Sequence, residues 1–213
     1  MFDYRNTTQE NLDNHIDHIC EIADDIQLHK ITILTGSNAT GKSVIRKLMP
    51  MRVVEKLKAE GVENPNPDKV VSSISMQLRT ESRTDWYALC SVMHDMPEAS
   101  TGDSTFGLIN GLMGAHDRFI VIDEPEIGMG REMVAGLAKY INERLSEFLN
   151  KNYGVLIITH SADIVSNINH DSFVNIDGMT EDEWLNRKIE PVNPVDVNKW
   201  STELSRAIQK RMK

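Results

Sequence analysis

The chain has 213 residues, 40% of them hydrophobic and 6% aromatic, with a formal net charge of −9. This is enough chain for one domain with a sizeable core, and the acidic balance argues against a broad basic surface that grips nucleic-acid backbone unaided. Met1 to Asn6 lack the regions of a signal peptide, no apolar run is long enough to cross a bilayer, and Cys20 and Cys90 form no C-x-x-C, so a reduced, cytoplasmic protein without membrane contact is expected.

Leu12, Ile16, Ile19, Ala23 and Ile26 fall at alternating spacings of four and three, which predicts an amphipathic helix over 8–26. His15, His18 and Cys20 lie within it, but a fourth ligand and the clustered spacing of a metal site are missing. Lys30 to Leu34 read as a short buried strand. Gly36, Ser37, Asn38, Ala39, Thr40, Gly41, Lys42 and Ser43 follow, and match the phosphate-binding pattern G-x-x-x-x-G-K-[ST] at every fixed position. A strand that turns through glycines into a helix aims backbone N–H groups and the positive helix end at one point, where a triphosphate can sit. Lys42 would reach the β- and γ-phosphates and the Ser43 hydroxyl would hold Mg²⁺. The plain alternative is a chance glycine-rich turn.

Helix 42–60 carries Pro50, which should kink or split it. Asn64 to Asp68 is a loop. Val70 to Leu78 and Trp86 to Val92 read as strands, possible partners in a hairpin, and Ser104 to Ala115 as a helix. Phe119 to Ile122 is an apolar strand that ends in Asp123, Glu124 and Pro125. Helix 131–150 follows, then a second apolar strand from Gly154 that ends at Thr159, His160 and Ser161. Phe173 to Ile176 add a further strand, Thr180 to Glu183 a capping box, and Pro194 to Lys213 a final helix. Continuous apolar strands alternating with helices predict an α/β fold with a mostly parallel sheet covered on both faces.

In such a sheet, ligands bind at the carboxyl ends of the strands. Asp123 there can hold Mg²⁺, and Glu124 can orient or deprotonate an attacking water. His160 ends the next strand at the same edge, where its imidazole can contact the γ-phosphate. Lys42, Glu124 and His160 are therefore the candidate catalytic residues. A solvated acid pair and a structural histidine are the plain alternatives.

Together, the P-loop, the D-E-P strand end and the I-I-T-H-S strand end resemble the ABC-type ATPase superfamily. D-E-P-E-I-G and I-T-H-S-A-D-I are similar to its soluble branch of DNA-repair heads, SMC-like proteins and overcoming-lysogeny-type proteins. The resemblance covers about residues 28–178. It implies a P-loop NTPase fold with ATP and Mg²⁺ as ligands and His160 as the switch histidine. It also implies a signature loop 23 residues before the aspartate, where Ser100 and Gly102 match and Ala99, Thr101 and Asp103 depart. Gln77 becomes the glutamine that links Mg²⁺ to the helical part, and Glu126 to Met129 the loop after the acids. Tyr4 is a candidate for stacking adenine. With only 56 residues between Ser43 and Ser100 and no heptad run, the chain reads as one minimal head over 1–213 without a coiled-coil arm, with a lid-like insert at 50–103 and a helical segment at 180–213.

The function implied is ATP hydrolysis in a homodimer that sandwiches two nucleotides and switches a partner effector protein, in a setting such as DNA repair or antiphage defence. Nucleic acid would be contacted weakly or indirectly. Segment 50–95 and the helix from Val195, with Leu204 and Ile208 four apart, are the surfaces most available for docking. A non-catalytic or very slow ATP-bound assembly module is the alternative. A P-loop small-molecule kinase would need an arginine-rich lid and an acceptor pocket.

Overall fold

The computed structural model describes residues 7–75, 107, 109–112, 114–188 and 191–211. Tyr4, Gln77, Cys90, Ser100 and Gly102, the strand expected over 86–92 and most of the expected insert lie outside them.

Among the described residues five parallel strands form the sheet, β1 Ile31–Thr35, β2 Val71–Ser75, β3 Phe119–Asp123, β4 Gly154–Ile158 and β5 Ser172–Asn175, in the spatial order β2-β3-β4-β1-β5. Every residue of β1, β3 and β4 is buried, as both-face coverage of a parallel sheet requires. The order inserts β4 between the strand that leads into the P-loop and the strand that ends in acid. Leu34 pairs with Ile158, and Ile158 with Asp123, so the three strands end level across the sheet.

The alternation of side chains divides the core in two. On one face, Leu34, Val121, Leu156 and Ile158 pack against α1 Gln9–Asp25, α2 Lys42–Ala59 and Trp200 and Leu204 of the C-terminal helix Pro194–Arg211. On the other, Ile33, Ile120, Ile122 and Ile157 pack against the long helix Arg131–Leu149, the short helix Ala162–Asn167 and Trp184. Among the helices of the described residues, in chain order, are α1, α2, α3 Pro67–Val70, α4 Arg131–Leu149, α5 Ala162–Asn167, α6 Glu181–Leu185 and α7 Pro194–Arg211.

The expected helix boundaries hold to within two residues for α1, α4 and α7, and α6 opens with the expected capping box of Thr180 and Glu183. Two expectations need correction. The first is the split offered as one outcome at Pro50: α2 is not split, and the helix runs through the proline from Lys42 to Ala59. Ile45, Leu48 and Met49 before it and Val53 and Leu57 after it are all buried, so the apolar face carries the helix across the missing N–H. The second is the start of the strand near residue 70. Asn66 caps a short helical turn over Pro67–Val70, and the strand begins only at Val71. The Leu204 side chain is 4% exposed and Ile208 packs partly buried on the same cluster, so the apolar stripe of α7 is spent on its own domain.

Because Pro50 removes one backbone hydrogen bond from an otherwise continuous helix, Pro50→Ala is expected to raise stability, by up to about 3 kcal/mol. Urea unfolding measures it. A loss of stability would show that the ring itself fills the core.

Candidate functional site

The loop between β1 and α2 is built to present backbone. Ala39 takes a left-handed φ of 60°, and Gly41 a φ of 107°. A Cβ at Gly41 would collide with Cδ1 of Ile19, so α1 presses directly against the loop. No side chain caps the start of α2. Thr40 is fully buried, and its hydroxyl donates to the Ser37 carbonyl at 2.8 Å. The Lys42 ammonium donates to the carbonyls of Gly36 at 3.0 Å and Ser37 at 2.7 Å. Burial lowers its pKa to about 8, against the pull of Glu124, Asp177, Asp123 and Glu126. Four carboxylates therefore act on one ammonium.

The acids come from strand ends. Asp123 is buried, and its Oδ2 lies 3.4 Å from Nε of Arg46. Burial raises its pKa, while Arg46, the Ser75 hydroxyl and Lys42 oppose the rise. Arg46 follows Ser43 by three residues and so shares its helix face, which brings the first turn of α2 up to the end of β3. Glu124 sits at φ 55°, a strained conformation for a glutamate, and its N–H donates to the Ile158 carbonyl at 2.8 Å. That turn brings Oε1 to 3.5 Å from Nε2 of His160. The histidine is neutral at physiological pH: burial, Lys42 and Arg187 lower its pKa to about 4, with Asp177 opposing.

Lys42, Asp123, Glu124 and His160, expected to meet at one sheet edge, thus do meet there. Gly36 to Ser43 form the loop beside them. Other groups at this edge went unforeseen. Glu126, assigned by resemblance to a loop after the acids, turns back. Its Oε1 accepts from the Thr159 hydroxyl and the His160 N–H, both at 2.8 Å, and so ties the ends of β3 and β4 together. Asp177 follows β5 and accepts from both the N–H and the hydroxyl of Ser37, at 2.7 and 2.8 Å. Its place just past a strand end was the available signal. Arg187, stacked 3.7 Å above the Trp184 ring, adds a cation within the field of His160 and Asp177. His15 and His18 bond backbone carbonyls.

The donor set fits a polyphosphate: a buried lysine, an uncapped helix start and a loop opened by left-handed residues. Among the described residues no group of three or more His, Cys, Asp or Glu side chains is placed to hold a metal by itself. Ser43 in the first turn of α2 and Asp123 at the end of β3 are the residues that would hold Mg²⁺, with phosphate oxygens and water supplying the rest. No helix among the described residues is long and apolar enough to cross a membrane.

No family model matches the chain, and no curated protein matches it. Among solved structures it is similar to that of C. elegans PCH-2, with 14% identity and a TM-score of 0.33, over 78% of this chain and 42% of that one. The chain thus spans less than half the length of that structure, and a likeness at this level carries no argument. The α/β fold and its parallel sheet stand on the strand pairings above.

His160 has a folded pKa of about 4, below the ordinary 6.5, so between these values the unfolded chain takes up the proton first. Stability therefore falls as pH drops across that window. His160→Gln is expected to flatten the acid side of a stability–pH curve from pH 7 to 4.5, measured by urea unfolding. An unchanged slope would place His160 in a more solvated setting.

Proposed function

We propose that this chain binds ATP with Mg²⁺ and hydrolyses it, acting as an ABC-type ATPase head. The observation that carries the reading is the Glu124–His160 pair, set at the strand ends beside the buried Lys42. The P-loop amides and Lys42 bind the β- and γ-phosphates. Ser43 and Asp123 would hold the Mg²⁺, which would supply charge neutralisation on the phosphate oxygens. Glu124 takes the proton from the attacking water as the γ-phosphorus–oxygen bond to ADP breaks. His160, being neutral, donates from Nε2 to a phosphate oxygen or to Glu124 and so fixes where the water lies. Glu126 keeps His160 at this edge by its bond to the backbone N–H.

Dimerisation rests on the resemblance, through the spacing of Ser100 and Gly102 from Asp123. Two copies would each close the other's nucleotide, and opening after hydrolysis would move an effector protein. DNA repair or antiphage defence is the setting this branch suggests.

Glu124→Gln is expected to lower turnover by about 100-fold or more while ATP binding survives. With ATP–Mg²⁺, light scattering should find this variant dimeric; a nucleotide-loaded monomer would remove the dimer from the account. Lys42→Ala is expected to weaken ATP binding about 10–100-fold, since a charge-assisted contact is lost. Titration with a fluorescent ATP analogue reads it, and unchanged affinity would contradict the role of Lys42.

A further inference from the structure

The N-terminal helix reaches the nucleotide loop through two imidazoles. Nε2 of His15 lies 2.8 Å from the carbonyl oxygen of Thr40, and Nε2 of His18 lies 3.0 Å from that of Ile176. A carbonyl only accepts, so each Nε2 carries the proton and donates. Thr40 directly precedes the Gly41–Lys42 turn. Ile176 directly precedes Asp177, whose carboxylate holds the N–H and hydroxyl of Ser37. Two residues three apart on one helix therefore fasten two segments of the phosphate site: the second half of the loop, and the strand end that grips its first half.

The His15 ring is packed in place, while His18 is exposed. His15 is 8% exposed and meets the buried Trp200 ring of α7 edge-on, with centroids 5.5 Å apart. Ile19, one turn along from His15, fills the space that Gly41 leaves without a Cβ. Burial holds the pKa of His15 below its ordinary value, which keeps the single-donor form in place at neutral pH.

We propose that His15 and His18 are positioning residues for the nucleotide: by drawing the Thr40 and Ile176 carbonyls toward α1, they keep the loop amides turned to the phosphates. The proposal rests on the ATP reading above. It differs from a purely structural role, in which two satisfied histidines would stabilise the fold and leave nucleotide affinity alone.

The test compares wild type, His15→Ala, His15→Gln and His18→Gln. It reads the Kd for a fluorescent ATP analogue with Mg²⁺, KM and kcat for ATP, and the melting temperature without nucleotide. His15→Ala is expected to raise Kd and KM about 10-fold, the loss of one buried hydrogen bond, with kcat within a few-fold of wild type. Glutamine, which offers an N–H at similar reach, is expected to restore most of the affinity at position 15 and to preserve it at 18. Unchanged Kd and KM in His15→Ala, with only the melting temperature lowered, would overturn the proposal and leave the ATP reading standing. If His15→Ala does not fold, His18→Ala takes its place: Kd and KM raised about 10-fold in folded protein support the proposal, and unchanged Kd and KM overturn it. A wild-type chain that binds no ATP would overturn the parent reading and this proposal together.

Discussion

The buried Lys42 ammonium is the charge around which the site is assembled. Taking it from water is costly, and its pKa falls to about 8 even with Glu124, Asp177, Asp123 and Glu126 acting on it. The compensating groups arrive from three directions: the loop's own carbonyls, the end of β3 and the turn after β5. Placing them depends on the strand order. With β4 between β1 and β3, the P-loop, the His160 segment and the acid pair leave the sheet side by side. The strained Glu124 backbone and the inward-turned Glu126 then close the gap between β3 and β4.

The two-faced core explains why this edge is firm. Leu156 and Ile158 face α1, α2 and α7, while Val155 and Ile157 face α4 and α5. Each strand end is thereby anchored on both sides, and the polar residues one or two steps beyond it inherit that order. The same packing gives α1 its second contact, since the face that buries Ile16 and Ile19 also sets His15 against the P-loop.

Much of this was legible in the sequence because it is local. The P-loop wording, the apolar strands and the Thr180 capping box each follow from a few adjacent residues. That Asp123, Glu124 and His160 share one edge followed from the rule that ligands meet the carboxyl ends of strands, whereas the register that ends Leu34, Ile158 and Asp123 level did not. What was not legible is long-range. The carboxylate of Asp177 reaches Ser37 across 140 positions of chain, and His18 reaches Ile176 across 158. Neither distance leaves a periodic trace. The split considered at Pro50 failed for the opposite reason: a strong local rule was outweighed by burial on either side of it.

On the function proposed above, the Lys42 loop and the Glu124–His160 pair form one ATP-hydrolysing site. A crystal structure of the Glu124→Gln variant grown with ATP and Mg²⁺ tests it most directly. The γ-phosphate is expected between the Lys42 ammonium and the His160 imidazole, with the metal against Ser43 and Asp123. A nucleotide bound elsewhere, or a P-loop still closed by Lys42 on the Gly36 and Ser37 carbonyls at saturating ATP, would contradict it.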